Sequence, residues 1–257
     1  MTSSPEAAGA DLILETRDLA KEFRGFVAVN GVSLRVRRGS VHALIGPNGA
    51  GKTTVFNLLT RFLPATRGTI HYRGEDVTRV APAELARRGL VRSFQISAVF
   101  PSLTALENVR VALQRGLGTS FQFWRSARSL EVLDARARAL LAEVDLEKLA
   151  STPAGELPYG RKRALEVATT LALEPELLLL DEPTAGMGHE DVGRTTALIA
   201  RVAKGRTVLM VEHNLSIVSD LCDRITVLAR GSVLAEGSYA EVSSDPAVRE
   251  AYIGGTA

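Results

Sequence analysis

The chain has 257 residues, 46% of them hydrophobic, which is enough to bury a large core in one or two domains. Lysine and arginine exceed aspartate and glutamate by only 31 to 29, and their interleaving argues against a nucleic-acid partner. A single cysteine excludes an internal disulfide, and no apolar run is long enough to span a bilayer. We therefore expect a soluble cytoplasmic protein with a disordered tail over residues 1–10.

The first part of the chain alternates short apolar runs with turns. This pattern predicts strands at residues 12–19, 27–36 (with a break near 30–31), 41–45 and 69–72. The run 41–45 is nearly all apolar, as expected for a parallel strand that is covered on both faces. Between the last two strands, apolar residues at helical spacing predict a helix over 52–63, before Pro64. A basic stretch around 84–88 is also helix-like.

The composition changes after Gln95, and most of the following segment has a helical pattern. One apolar stripe at helical spacing is formed by Leu130, Leu133, Ala137, Leu140, Leu141 and Val144. We interpret residues 96–161 as a helical subdomain inserted into an α/β core of residues 11–95 and 162–257, within a single domain over 11–257. Its aromatic residues Phe121, Phe123 and Trp124 fit either core packing or contact with a membrane partner.

The remainder of the chain resumes the alternation of strands and helices. Helices are predicted at 161–174, 192–202 and from Pro246 to Gly254. Strands are predicted at 177–181 and 207–212, and a hairpin at 225–229 and 233–236. Strands and helices that alternate in this way predict an α/β fold with a mostly parallel sheet.

The turn after the strand at 41–45 matches the phosphate-binding pattern G-x-x-x-x-G-K-[ST] at every fixed position. Its glycines allow successive N–H groups to face one concavity, which together with the helix N-terminus binds anions. The Lys52 ammonium is expected at the β- and γ-phosphates of a bound nucleotide, and the Thr53 hydroxyl at Mg²⁺. The predicted phosphate-binding residues of this loop are Gly46, Pro47, Asn48, Gly49, Ala50, Gly51, Lys52, Thr53 and Thr54.

Two carboxylates, Asp181 and Glu182, end the apolar strand at 177–181. The carboxyl edge of an open α/β sheet is where ligands bind, and adjacent side chains on a strand face different partners. We therefore predict Asp181 as a Mg²⁺ ligand and Glu182 as the general base for the attacking water. His213 directly follows the strand at 207–212, so we expect it at the same edge, at the γ-phosphate. The other three histidines show no metal-ligand spacing.

The order of these features resembles that of the ATP-binding-cassette (ABC) ATPases. The phosphate loop is followed by Gln95, by Leu-Pro-Tyr-Gly-Arg at 157–161, by Leu-Leu-Leu-Leu-Asp-Glu at 177–182 and by His213. The resemblance covers residues 12–236 and implies a RecA-like P-loop core with an N-terminal antiparallel β subdomain and a helical subdomain. It also implies that two cassettes, identical or related, pair head to tail around ATP.

The same resemblance assigns further site residues. Phe23 corresponds to the aromatic residue that stacks on adenine, although a core phenylalanine would give the same pattern. Gln95 corresponds to a Mg²⁺ ligand that also senses the membrane partner. Pro158, Tyr159 and Gly160 correspond to the signature motif, which contacts the ATP of the partner cassette. Proline replaces the usual serine there, so the amides of Tyr159 and Gly160 and the helix dipole would have to contact the phosphate.

Several phrases resemble more narrowly the ATPase subunits of branched-chain, or hydrophobic, amino acid importers. They are LPYG at 157–160, DEPTAGM at 181–187, VEHNLSIV at 211–218 and DPAVREAYIGG at 245–255. The resemblance implies a peripheral subunit on the cytoplasmic face of the membrane that uses ATP and Mg²⁺. Its partners would be permease subunits and, indirectly, a substrate-binding protein outside the membrane. The alternatives are the ATPase of a lipid exporter and an ATP-gated clamp without a transport role.

Overall fold

The computed structural model describes residues 12–93, 99–114 and 132–253. Within these ranges, strands form two sheets and helices pack around them. The strands are β1 (Leu12–Phe23), β2 (Phe26–Val32), β3 (Arg35–Arg37), β4 (Val41–Ile45), β5 (Arg67–Tyr72), β6 (Glu75–Asp76), β7 (Leu90–Ser93), β8 (Leu177–Asp181), β9 (Thr207–Val211), β10 (Arg224–Ala229) and β11 (Ser232–Gly237). The helices are α1 (Lys52–Leu59), α2 (Pro82–Arg87), α3 (Ala105–Leu113), α4 (Asp134–Glu143), α5 (Tyr159–Leu171), α6 (His189–Val202), α7 (Leu215–Leu221), α8 (Tyr239–Ser244) and α9 (Pro246–Ile253).

Some features predicted from the sequence lie outside the described residues. They are the tail over 1–10, Gln95, the aromatic group Phe121, Phe123 and Trp124, Leu130 of the apolar stripe and Gly254 at the predicted end of the last helix. These features, and the exact domain boundaries, stay predictions.

The larger sheet has six strands in the order β11-β10-β4-β9-β8-β7. Every neighbouring pair is parallel except the β10–β11 hairpin, so the predicted mostly parallel sheet and hairpin are confirmed. All residues of β8 and β9 are buried, as in a parallel sheet that is covered on both faces. The sequence does not predict the edge strand β7, because four residues are too few to show a period.

The smaller sheet is antiparallel and is built around β1, which pairs with β2, β3 and β5, while β5 also pairs with β6. This confirms the predicted N-terminal β subdomain. The predicted break near residues 30–31 is present as a register shift between β1 and β2, where Gly31 has a φ angle of 68°, although β2 continues to Val32. The Thr16 hydroxyl donates to the Val32 carbonyl at 2.9 Å and accepts the Leu34 N–H at 2.9 Å. It thereby satisfies the backbone on both sides of the gap between β2 and β3.

Two hydrophobic cores lie on opposite faces of the larger sheet. Leu178 and Leu180 of β8 point to the core that contains Leu165 of α5. Leu177 and Leu179 point to the core between α1 and the smaller sheet, which is centred on residues such as Phe56. The alternation along β8 therefore joins both halves of the molecule to the one strand that ends in Asp181.

Helices α3, α4 and α5 pack against one another, as expected for the helical subdomain. A capping box, in which Thr104 and Glu107 each bond the other's backbone N–H, starts α3. Helix α5 begins at Tyr159, two residues earlier than predicted. Helix α1 ends at Leu59, four residues early, because Arg61 adopts a left-handed conformation with φ of 63°. None of the helices in the described ranges is long and apolar enough to cross a membrane.

His42 lies on β4 with no exposed surface, and its Nε2 atom is 2.8 Å from the Thr226 hydroxyl on β10. Burial, together with the positive charge of Arg224, lowers the pKa of His42 from 6.5 to about 4. Its role is structural: the ring is a neutral, hydrogen-bonded part of the core.

We predict that His42 makes the fold acid-sensitive between pH 6.5 and 4. In this window the unfolded chain binds a proton at His42 that the folded chain does not, so stability falls as the pH falls. The loss attributable to this group approaches about 3 kcal/mol near pH 4. Urea unfolding of the His42→Gln variant should show a correspondingly smaller pH dependence. Equal slopes for variant and wild type would contradict the assignment.

Candidate nucleotide-binding site

Three loops meet at the carboxyl edge of the larger sheet, because β4, β9 and β8 are parallel neighbours. In the register, Leu44 pairs with Val211, and Val211 pairs with Asp181. The phosphate loop after β4, the acidic loop after β8 and the loop that contains His213 therefore emerge side by side. Glu182 lines the same cleft as the phosphate loop, whereas Asp181 at the end of β8 and His213 on the neighbouring loop lie outside that lining.

The phosphate loop depends on backbone conformations that favour glycine. Gly46, Gly49 and Gly51 have φ angles of 148°, 77° and 100°. A Cβ atom on Gly46 would collide with the Leu228 carbonyl, and one on Gly51 would lie 2.7 Å from the Ala28 carbonyl. Helix α1 starts directly after this turn, with no side-chain cap and no acidic residue in its first turn. Its N-terminal amides are therefore suited to bind an anion.

The Lys52 side chain folds back onto the phosphate loop and bonds to its backbone. Its ammonium donates to the carbonyls of Gly46 at 2.7 Å and Pro47 at 3.0 Å, and the residue is only 8% exposed. Burial lowers the pKa of Lys52, and the carboxylates of Glu182 and Asp181 act in the opposite direction. In this arrangement the loop carbonyls hold the cation at the place where phosphate oxygens are expected.

A cleft of about 330 Å³ opens over the phosphate loop. Its loop lining is continuous and comprises Asn48, Gly49, Ala50, Gly51, Lys52, Thr53 and Thr54. Glu182 also lines the cleft, and Phe26 and Ala28 of β2 complete the lining. The cleft thus joins seven of the nine predicted loop residues to the predicted general base.

The structure does not place Phe23 in the lining of this cleft. Phe23 is 41% exposed, and the Lys21 ammonium lies 5.0 Å from its ring centroid. Phe26, its direct partner across the β1–β2 turn, lines the cleft and is 68% exposed. Stacking of Phe23 on adenine stays a prediction, and Phe26 is a second aromatic side chain within the same turn.

Asp181 is buried and forms an ion pair with Arg92 of β7; the two side chains are 2% and 12% exposed. Arg92 also donates to Asn57 Oδ1 at 2.7 Å and lies over the Phe56 ring at 5.8 Å from its centroid. The second oxygen of Asp181, Oδ1, is buried and has no hydrogen-bond partner among the described residues.

This unpaired oxygen permits a test of whether the site fits Mg²⁺. A hard cation prefers carboxylate and hydroxyl oxygens, and an unsatisfied buried oxygen is costly unless a ligand meets it. Asp181 Oδ1 and the Thr53 hydroxyl, which lines the cleft, supply these atom types. The residues present therefore fit Mg²⁺; within the described ranges, no group of three or more His, Cys, Asp or Glu forms a metal cluster.

Glu182 adopts a left-handed backbone conformation with φ of 45°, and its N–H donates to the Val211 carbonyl at 2.9 Å. Strained non-glycine residues of this kind cluster at functional sites. The conformation turns the chain away from β8 immediately after Asp181. His213 is exposed two residues after β9, and its N–H donates to Glu212 Oε2 at 3.0 Å.

The predicted signature residues lie at a different place. Pro158 is the N-cap of α5, and its carbonyl accepts the N–H groups of Arg161 and Lys162, both at 2.9 Å. Pro158 and Gly160 line a separate cleft of about 500 Å³ between α5, α6 and the end of α4. The exposed Tyr159 belongs to neither lining, and the two clefts share no lining residue in the described parts of the chain.

Sequence reasoning misses three residues of this edge: Phe26, Arg92 and Glu212. Arg92 and Glu212 acquire their roles through partners far away in the chain, Asp181 and Thr184. Phe26 lines the cleft because the β1–β2 turn lies beside the phosphate loop. The one available signal for Arg92 is a charged residue directly after the apolar pair Leu90 and Val91.

We predict that Arg92→Met destabilises the protein by about 3–5 kcal/mol, because it leaves the Asp181 carboxylate buried without a counter-charge. The double variant Arg92→Met/Asp181→Asn should recover most of this loss. Arg38→Met is the control, since its ion pair with Glu176 is exposed and should contribute less than about 1 kcal/mol. Chemical denaturation measures all three, and equal effects of Arg92→Met and Arg38→Met would refute the assignment.

Comparison with known proteins agrees with this geometry. A family model described as "ABC transporter" matches residues 29–185, and one described as "Branched-chain amino acid ATP-binding cassette transporter" matches residues 232–257. The chain is 41% identical over 252 residues to the high-affinity branched-chain amino acid transport ATP-binding protein BraF of Pseudomonas aeruginosa, covering 94% of this chain and 98% of that protein. It is 39% identical over 251 residues to the corresponding protein LivG of Salmonella typhimurium, with the same shares covered.

Among solved structures, the ADP conformation of an ATP-binding cassette of an ABC transporter superimposes with a TM-score of 0.83 and 34% identity. The match covers 95% of this chain and 99% of that one. The resemblance seen in the sequence is therefore confirmed, and so is the predicted fold class. The chain belongs to the ABC transporter family and is one of its ATP-binding cassettes.

Proposed function

We propose that this cassette hydrolyses ATP to energise an importer of branched-chain or related amino acids. The observation that supports hydrolysis is the cleft that Glu182 lines together with the phosphate loop and Lys52. The observation that supports the solute class is the likeness, over nearly the whole chain, to subunits named for branched-chain amino acid transport. A lipid exporter or an ATP-gated clamp has no comparable support.

Binding of ATP begins with an exchange of partners at Lys52. The triphosphate oxygens replace the carbonyls of Gly46 and Pro47 as acceptors for the ammonium, while the amides at the start of α1 donate to the same anion. Asp181 and Thr53, with Gln95, would hold Mg²⁺, which when bound neutralises charge on the β- and γ-phosphates.

Hydrolysis then requires a base and an orienting group on the far side of the γ-phosphate. Glu182 accepts a proton from the attacking water. At the same time the water oxygen bonds to the γ-phosphorus, and the bond between the γ-phosphorus and the ADP oxygen breaks. His213, from the neighbouring loop, donates to the γ-phosphate and orients the water. Lys52 stabilises the charge that develops during transfer.

A second cassette completes the site in this proposal. Pro158, Tyr159 and Gly160 lie outside the lining of the P-loop cleft of their own chain, which supports contact in trans with the ATP of a partner. The amides at the start of α5 point the positive end of the helix dipole at that ATP. At the cytoplasmic face of the membrane, closure of the pair would act on the permease subunits. A substrate-binding protein would deliver the solute to these subunits.

We predict that Glu182→Gln retains ATP binding but lowers turnover at least 100-fold, because the amide cannot accept the proton. The variant should accumulate as an ATP-bound dimer, which phosphate release and size-exclusion chromatography detect together. Glu190→Gln is the control, since Glu190 is an exposed carboxylate on α6 and should leave the rate unchanged. Wild-type rates in Glu182→Gln would refute the base assignment.

Reconstitution of the complex tests the solute class. The cassette is co-purified with its permease subunits, placed in vesicles with the matching binding protein, and supplied with labelled leucine, isoleucine or valine. ATP-dependent uptake that disappears in Lys52→Ala is expected. Outward movement of labelled lipid would instead favour the exporter, and turnover stimulated by DNA would favour the clamp.

A further inference from the structure

Glu212 is a fully buried carboxylate at the predicted catalytic edge, with 0% of its surface exposed. It follows β9 directly and precedes His213. A buried carboxylate is costly unless several donors satisfy its oxygens. The donors around Glu212 therefore show which segments of the chain it connects.

The two oxygens of Glu212 bind two different loops. Oε1 accepts the Thr184 hydroxyl at 2.6 Å and the Thr184 N–H at 3.3 Å. Oε2 accepts the N–H groups of His213 at 3.0 Å and Asn214 at 3.2 Å. One side of the carboxylate is therefore attached to the loop after β8, and the other side to the loop after β9.

The loop after β8 is short and stiff between Thr184 and the proposed base. Thr184 is two residues from Glu182, and Pro183 between them has a fixed φ angle. The Ala185 N–H donates to the Glu182 carbonyl at 3.0 Å, which closes the turn. A displacement of Thr184 therefore displaces Glu182 as well.

We propose that Glu212 is a positioning residue that fixes the loop of Glu182 relative to the loop of His213. The inference rests on the roles proposed above for Glu182 and His213. Four donors converge on the carboxylate, and a carboxylate is the side chain that accepts on both ends. In a glutamine at this position, the NH₂ group would lie against the two N–H or O–H donors of one loop. Since a donor cannot accept from them, the hydrogen bonds to that loop would be lost.

The test uses the full chain and the variant Glu212→Gln. A misplacement of about 1 Å at a catalytic group costs about 100-fold in rate, so we expect kcat to fall 10- to 100-fold. KM for Mg·ATP and the affinity for a fluorescent ATP analogue should change less than about 3-fold, because the phosphate loop is untouched. Trapping of ADP with vanadate, which mimics the γ-phosphate during transfer, should weaken in parallel with kcat.

Glu107→Gln is the matched control. Glu107 accepts the N–H of Thr104 at 2.7 Å and its hydroxyl at 2.8 Å, the same pair of donors that Thr184 offers, but in the helical subdomain. This variant should keep kcat, KM and vanadate trapping at wild-type values. An equal fall of kcat in both variants would overturn the proposal.

Thr184→Val provides a second route if Glu212→Gln does not fold, because it keeps the carboxylate and removes one donor. We expect a 3- to 10-fold lower kcat at unchanged KM. Where both single variants fold, kcat of the double variant should lie within about 2-fold of kcat of Glu212→Gln, since both changes break the hydrogen bonds to the same loop. Losses that multiply would overturn the proposal.

The outcome is separable from that of the proposed function. If Glu182→Gln loses turnover while Glu212→Gln keeps a wild-type kcat, the positioning role is overturned and the proposed function stands. If kcat and ATP affinity of Glu212→Gln fall together in proportion to the folded fraction, its role is stability alone and the proposal is likewise overturned.

Discussion

The parallel register of β4, β9 and β8 is the constraint on which the site depends. It aligns Leu44, Val211 and Asp181 in one row, so that the chain leaves three adjacent strands at the same height. A slip of one residue in any of these strands would turn its side chains to the opposite face of the sheet. Such a slip would repack both cores at once, because every residue of β8 and β9 is buried.

Each buried charge at this edge has a protein partner before any ligand binds. Lys52 is held by two carbonyls, Asp181 by Arg92, and Glu212 by four donors. Lys52 can exchange its carbonyl partners for phosphate, because it lines the cleft. Asp181 can bind a metal ion, because its Oδ1 atom has no hydrogen-bond partner among the described residues. Glu212 has no unsatisfied oxygen, which is why it is a fixed element and not a ligand.

Patterns that are local in the sequence predict the fold and most of the candidate site. The phosphate loop, the acidic end of β8 and His213 are visible because a few adjacent residues and one apolar strand define each of them. Arg92 and Glu212 are not visible, because their partners Asp181 and Thr184 lie 89 and 28 residues away. The gap between β2 and β3 is not visible for the same reason, because the Thr16 hydroxyl of another strand bonds the backbone on both sides of it.

The separation of the two clefts has a kinetic consequence for the pairing that we propose. A cassette in dilute solution must meet a second copy before either cleft is complete, so initial velocity should grow with the square of protein concentration until the pairs saturate. Attachment of two cassettes to one membrane complex replaces that encounter by a high local concentration. Such a complex gains speed from tethering alone, without any new contact at the phosphate.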